Sequence, residues 1–316
     1  MQRRDFLRAT LVGSASLVAG SALAEGESVL HIGFQKSSLN LIVLKHRGTL
    51  EKRLTQQGVS LRWTEFPAGP QLLEALNVGA VDFGMTGDTP PIFAQAAGTS
   101  LVYVGNEPPK PQASAILVGK GSAIRSVADL KGKRVAFNKG SSAHYLVLRA
   151  LESAGLGLAD IQPAYLAPAD ARAAFERGNV DAWGIWDPYY AAAEKAVPTR
   201  TLATGQGLLS NHTFYLAARD FARKRPALIA AVFEELSRND DFLEQQPQET
   251  ARILAGYTGL DVPTLETVVA RRPSFQVSYL DKRVIDEQQR IADSFYKLGV
   301  IPKAINVNDI VWRPGA

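Results

Sequence analysis

Four short stretches of this chain hold the residue types that bind an oxoanion: Gln35 to Ser38, Thr86 to Thr89, Gly140 to His144 and Ile185 to Asp187. Each places hydroxyls, amides or small residues just ahead of a helical pattern. Unsatisfied backbone N–H groups and the partial positive end of a helix favour negative charge at such a point. The candidate ligand-binding residues are Gln35, Ser37, Gly87, Asp88, Thr89, Gly140, Ser141, Ser142, His144, Trp186 and Asp187. Ser141 and Ser142 are expected to give charge-assisted hydrogen bonds to the anion, with Gln35 and Thr89 contributing from the opposite side. Gly140 lets the backbone approach closely. Plainer roles are available to all of them. The serines suit N-caps, Asp88 and Asp187 suit caps better than ligand contacts because a carboxylate repels an anion, and His144 packs or caps as readily as it donates. None of the four stretches contains arginine, and the only nearby cations are Lys36 and Lys139, of a kind usually solvated. Trp183 and Trp186 lie an odd number apart on a short strand and so face opposite sides, which makes Trp186, with Tyr189, the candidate wall for an apolar tail.

Hydrolysis is the competing chemistry. His144 beside Ser141 and Ser142, with Asp187 elsewhere, can be drawn as a triad, but the serines precede a helix as caps do and no Gly-x-Ser-x-Gly elbow is present. There is no phosphate loop and no dinucleotide fingerprint. The four histidines, His31, His46, His144 and His212, show no paired ligand spacing, and the chain has no cysteine. A metal site, a disulfide and a lipid-modified N-terminal cysteine are therefore not expected, nor is any cofactor.

The elements that must position these residues repeat. Thr64 to Gly98 reads as helix, strand and helix: Leu72, Leu73 and Leu76 at helical spacing, Gly79 ending the run, Val81 to Met85 short and apolar, then Asp88 or Thr89 as cap with Pro90 in the first turn. At an offset of 99 residues Gly79 falls on Gly178, Val81 on Val180, Asp82 on Asp181 and Asp88 on Asp187. A second echo, allowing Gly140 as an insertion, links the stretch from Phe34 with that from Phe137 and places Ser37 and Ser38 on Ser141 and Ser142. Two echoes in the same order point to two similar α/β lobes. Lobe one is expected over 25–114 and 219–316, and lobe two over 115–218, with Phe214 to Ala218 a strand returning to lobe one. From Pro226 onward the pattern is helical, with stripes of Leu228, Val232 and Leu236, then Val284, Ile291, Phe295 and Leu298, which should cover lobe one. Two crossings between lobes suggest a hinge that opens and closes.

The chain of 316 residues carries a formal charge of +4, but Arg3, Arg4 and Arg8 sit at its very start. A twin-arginine pair, an uncharged run and Ala22-Leu23-Ala24 make residues 1–24 an expected export signal, with Sec export of the same segment an alternative. Its apolar run is shorter than the roughly 20 residues a spanning helix needs. Without it the charge falls by two, which leaves no electrostatic case for nucleic acid.

FQKSS, TEFPAGPQLLEALNVGAVDFGMTGDTPPIFAQAAG, LVYVGNEPP, SVADLKGKRVAFNKGSSAHYLV, APADARAAFERGNVDAWGIWDPY and FYLAAR together resemble the aliphatic sulfonate-binding proteins of ABC importers, a group with taurine-binding and nitrate-binding relatives. The resemblance spans essentially the whole mature chain. It implies a type II periplasmic-binding fold, two lobes around a central cleft that clamp one small organic anion, an alkanesulfonate, and deliver it to a membrane permease with its ATPase subunit. Without a lipid-modified cysteine the mature protein is expected to be soluble in the periplasm, and without a catalytic motif it is expected to be a monomeric binding protein and not an enzyme. Nothing in the motifs selects alkanesulfonate over taurine, a sulfate ester, nitrate or another organic anion.

Overall fold

The repeated Gly-x-Val-Asp turn folds the same way twice. Gly79 and Gly178 take φ of 74° and 72°, the left-handed conformation that ends a helix without a Cβ clash. The aspartate that follows then docks onto the start of a neighbouring strand. Asp82 donates its backbone N–H to the His31 carbonyl and accepts the His31 N–H on Oδ2, both at 2.9 Å, and Asp181 does the same with Arg134, both at 2.8 Å. The echo in the sequence is thus a strand-aligning device, used once in each lobe.

The computed structural model describes residues 28–315. The expected export signal over residues 1–24 lies outside them. In chain order the first lobe runs β1 (Ser28–Phe34), α1 (Leu39–Arg47), α2 (Thr49–Thr55), β2 (Val59–Glu65), α3 (Gly69–Asn77), β3 (Phe83–Gly87), α4 (Thr89–Ala96) and β4 (Leu101–Glu107). The second runs β5 (Ser114–Gly119), β6 (Arg134–Phe137), α5 (Ser142–Ser153), β7 (Gln162–Tyr165), α6 (Pro168–Glu176), β8 (Ala182–Trp186), α7 (Tyr189–Ala196) and β9 (Thr199–Thr204). Then follow β10 (Thr213–Ala218), α8 (Arg219–Lys224), α9 (Pro226–Gln245), α10 (Pro247–Thr258), α11 (Val262–Ala270) and α12 (Lys282–Lys297).

Two five-stranded sheets result, ordered β2-β1-β3-β10-β4 and β7-β6-β8-β5-β9. In each, the first three strands are parallel and the last two pair antiparallel, so the sheets are copies in topology as well as in sequence echo. The α/β two-lobed class read from the sequence is the observed one. One boundary moves: β10 hydrogen-bonds between β3 and β4, so the chain is back in the first sheet at Thr213, and lobe two cannot extend to 218. Strand β9 was not anticipated, because Thr199–Thr204 is half-buried throughout and shows no alternation.

The C-terminal helices cover lobe one, as expected. Leu228, Val232 and Leu236 of α9 are buried against the core that includes α1 residues, and Val284, Ile291 and Phe295 of α12 pack on a second core with Tyr103 and Leu216. Leu298 departs from its expected stripe: it lies past the end of α12 and is exposed.

Gly105 shows how closely α9 packs. A methyl group there would lie 2.3 Å from the Phe233 ring and 2.9 Å from the Ser278 carbonyl. Gly105→Ala should therefore cost about 1–3 kcal/mol of stability by overpacking. Urea denaturation measures it, and an unmoved midpoint would show that α9 can slide.

Candidate functional site

The carboxyl ends of β1, β3, β6 and β8 converge on one cleft between the lobes, floored by the segments that cross between them. Its lining includes Gln35, Ser37, Gly69, Met85, Gly87 and Pro90 from lobe one, Ser141, Ser142, Trp186 and Asp187 from lobe two, and Lys110, Ala113, Asn211 and Thr213 from the crossings. Arg272, just past α11, completes it. Of the sequence candidates, Gln35, Ser37, Gly87, Ser141, Ser142, Trp186 and Asp187 reach this cleft. Asp88, Thr89, Gly140 and His144 do not.

The hydroxyls expected to donate to an anion are committed elsewhere. Ser142 gives its proton to Asp88 Oδ1 at 2.6 Å, Thr89 gives its own to the same oxygen at 3.0 Å, and Ser141 bonds the Asn138 carbonyl at 2.7 Å. Asp88 therefore departs from the capping role. Its side chain makes no capping bond to α4 and instead joins the lobes through Ser142. Gly87 leaves room for that contact, since a Cβ there would lie 2.1 Å from Ser142 Oγ and would turn the hydroxyl away. What α5 does offer is backbone: the N–H groups of Ser142 and Ala143 have no acceptor among the described residues. Gln35 holds its amide against the Met85 carbonyl at 2.9 Å.

Gly140 and His144 form a structural unit behind the cleft. Gly140, at φ 73°, donates its N–H to His144 Nδ1 at 3.3 Å. The ring stacks on Phe137 at 5.1 Å and meets Phe93 and Phe295 across the lobe boundary. Burial, with Lys139 adding to it, pulls the imidazole down to about 4. With Nδ1 accepting from Gly140 and Ser142 bound to Asp88, the candidate triad is not assembled.

Asp187 does cap, with an addition the sequence did not show. Its Oδ1 accepts the Ala191 N–H of α7 and an N–H of Arg271 Nη1, each at 3.0 Å, while Oδ2 has no partner among the described residues. Burial pushes this carboxyl up to about 7, against the opposing pull of Arg271. Arg271 also pairs with Glu194 and lies 3.8 Å over the Tyr190 ring, so the end of α11 grips α7 of the other lobe. Trp183 is fully buried and Trp186 lines the cleft, on the opposite sides expected.

Two cations were missed. Lys36 and Lys139 do not line the cleft, whereas Lys110 and Arg272 do. Arg272 donates to Glu107 Oε2 at 2.9 Å and to the Ser37 carbonyl at 2.8 Å, and its Nε–H has no partner among the described residues. Lys110 Nζ meets the Asn211 carbonyl at 3.1 Å and Thr213 Oγ1. Among the described residues no cluster of His, Asp or Glu is arranged to hold a metal, and no helix is long and apolar enough to cross a membrane.

Comparison with known proteins places this geometry. Residues 54–250 match the family described as NMT1/THI5 like. The periplasmic aliphatic sulphonate binding protein SsuA of Escherichia coli is 49% identical, with a TM-score of 0.82 covering 91% of this chain and 92% of that one. The alkanesulfonate-binding protein SsuA of Xanthomonas axonopodis pv. citri, solved bound to MOPS, is 47% identical with a TM-score of 0.86 over 90% and 98%. The taurine-binding periplasmic protein of Escherichia coli is 27% identical over 82% of each chain.

Proposed function

We infer the function from a plain premise: this chain belongs to the NMT1/THI5-like family and to the aliphatic sulfonate-binding proteins. It is the substrate-binding component of an ABC importer, capturing an aliphatic sulfonate in the cleft and handing it to a membrane permease. The observation that carries this is the near-full-length similarity to two sulfonate-binding proteins, one of them holding a sulfonate buffer molecule. The cleft suits the ligand: unpaired helix N–H groups, Lys110 and Arg272 for the head, and Trp186 as an apolar wall for the tail. The chain works outside the cytoplasm, exported by the signal at its start, and acts as a monomer without catalysis.

One feature favours a second ligand. The unpaired Asp187 Oδ2 at the cleft could receive the ammonium group of an aminosulfonate, and the taurine-binding relative agrees with that chemistry. Titration calorimetry against ethanesulfonate, taurine, sulfate and nitrate separates the readings. Ethanesulfonate is expected to bind at least tenfold tighter than nitrate or sulfate, because only it fills both the charged and the apolar end of the cleft. Tightest binding by taurine would move the assignment to aminosulfonates, and tightest binding by nitrate would overturn the sulfonate reading. Small-angle scattering should show compaction on binding, since the two lobes face each other across the cleft and a bound anion would draw them together.

A further inference from the structure

The crossings between the lobes, which the sequence suggests as a hinge, hold a buried lysine. Lys110 is buried with 9% of its surface exposed, yet it lines the cleft. Its backbone and side chain pin the two crossings together: the N–H bonds the Ser210 carbonyl at 3.0 Å, the carbonyl accepts Asn211 Nδ2 at 3.0 Å, and the amine reaches Asn211 O and Thr213. An ammonium has three N–H donors, and these contacts use two. Among the described residues no carboxylate pairs with it. The carboxylates that act on it are held by other groups: Glu107 by Arg272 and Tyr215, and Asp88, through Oδ1, by Ser142 and Thr89.

We propose that Lys110 is the anchor for the sulfonate head, its third N–H meeting a sulfonate oxygen at the cleft floor beside the Arg272 guanidinium. This rests on the sulfonate-binding reading and adds where the charge is met. It places the head on the crossings, with the α5 N–H groups closing over it, instead of on the serine hydroxyls of lobe two.

A consequence is that capture takes up a proton. Burial, followed by repulsion from Arg272, pulls the Lys110 amine down to about 7, with Glu107 and Asp88 opposing. Near pH 8 the empty cleft therefore holds mostly neutral amine. An anion set between Lys110 and Arg272 reverses both causes, since it replaces lost solvation and screens the repulsion, so the amine is protonated on binding. The sign follows: uptake approaches one proton per anion above about pH 7 and vanishes near pH 6, and affinity falls about tenfold for each pH unit above 7.

Calorimetry of ethanesulfonate at pH 8 in bicine and in Tris, two non-sulfonate buffers of different ionisation enthalpy, counts the protons. Uptake near one in the wild type supports the proposal, and binding without uptake overturns it while leaving the sulfonate reading intact. Absence of any sulfonate binding overturns both. Lys110→Met should weaken ethanesulfonate about tenfold to a hundredfold at pH 6.5 and abolish the uptake. Unchanged affinity would mean that Lys110 only joins the crossings. Asp187 is the other titrating group at the cleft, so Asp187→Asn is the companion variant. It should keep the proton uptake, whatever its affinity, and loss of uptake there would assign the proton to Asp187 and overturn the proposal. These two measurements decide the matter even if Lys110→Met does not fold.

Discussion

Replacing Arg272 by methionine is expected to lower the free energy of unfolding by about 3–5 kcal/mol, because it strands a buried carboxylate. Arg272 and Glu107 side chains are each 2% exposed, and Nη1 lies 2.9 Å from Oε2. The guanidinium also donates to the Ser37 carbonyl at 2.8 Å, so one side chain ties the segment after α11 to the end of β4 and to the turn before α1. With the arginine gone, Glu107 keeps only the Tyr215 hydroxyl at 2.7 Å, one hydrogen bond for a charge cut off from water. Most of the loss is the cost of the abandoned carboxylate and not the worth of the pair. The double variant Arg272→Met with Glu107→Gln should accordingly recover a large part of it. Urea denaturation of the three proteins tests this, and a single-variant loss below about 1 kcal/mol would mean that water reaches Glu107.

The same pair shows what sequence reading could not reach. Gly79 with Gly178 and Asp82 with Asp181 were legible because each acts within one helix-strand unit, where a turn demands a particular residue type and the spacing repeats. The strand ends that frame the cleft followed from that, and with them Gln35, Ser37, Gly87, Ser141, Ser142, Trp186 and Asp187. Lys110 and Arg272 carry no local signal. Lys110 stands among prolines that read only as the end of a strand, and Arg272 follows a helix that read only as a cover for lobe one. Arg272 bonds a residue 165 positions away, and Lys110 residues 101 and 103 away. The return of β10 into the first sheet brings Lys110 its partners, and the path of the chain past α11 brings Arg272 to the end of β4, both properties of topology and not of any window of sequence. Ser142 and Asp88 illustrate the converse error. Both were correctly placed at helix starts, but a hydroxyl facing a carboxylate across 2.6 Å bonds it, and that bond is decided by how the lobes meet.

Acid should destabilise this protein through His144 by about 2 kcal/mol at pH 5 and about 3 kcal/mol at pH 4. The ring is 1% exposed, and burial first, then Lys139, draws its folded-state value from 6.5 down to about 4. Between those two values the unfolded chain binds a proton that the folded one refuses, so stability rises with pH across that window and falls as the medium is acidified. Other buried groups act with the opposite sign. Burial raises Asp187 to about 7 and Asp240 to about 8, so the folded state holds their protons where the unfolded state has released them, and acidification favours folding through these two. A bare pH profile of the wild type therefore mixes opposing slopes. The difference between wild type and His144→Phe isolates one of them. Phenylalanine forfeits the Gly140 bond and so lowers stability at pH 7 by about 1 kcal/mol, but it cannot titrate, and the two stability curves should converge and cross as pH falls toward 5. Parallel curves from pH 7 to 4 would show that His144 is protonated as easily in the folded protein as in water. Because its neighbours Phe93 and Phe295 belong to lobe one while Phe137 belongs to lobe two, the charge would be forced into the seam between them. The acid transition should thus begin with loosening of the lobe contact, read as expansion in scattering ahead of the loss of helical circular dichroism.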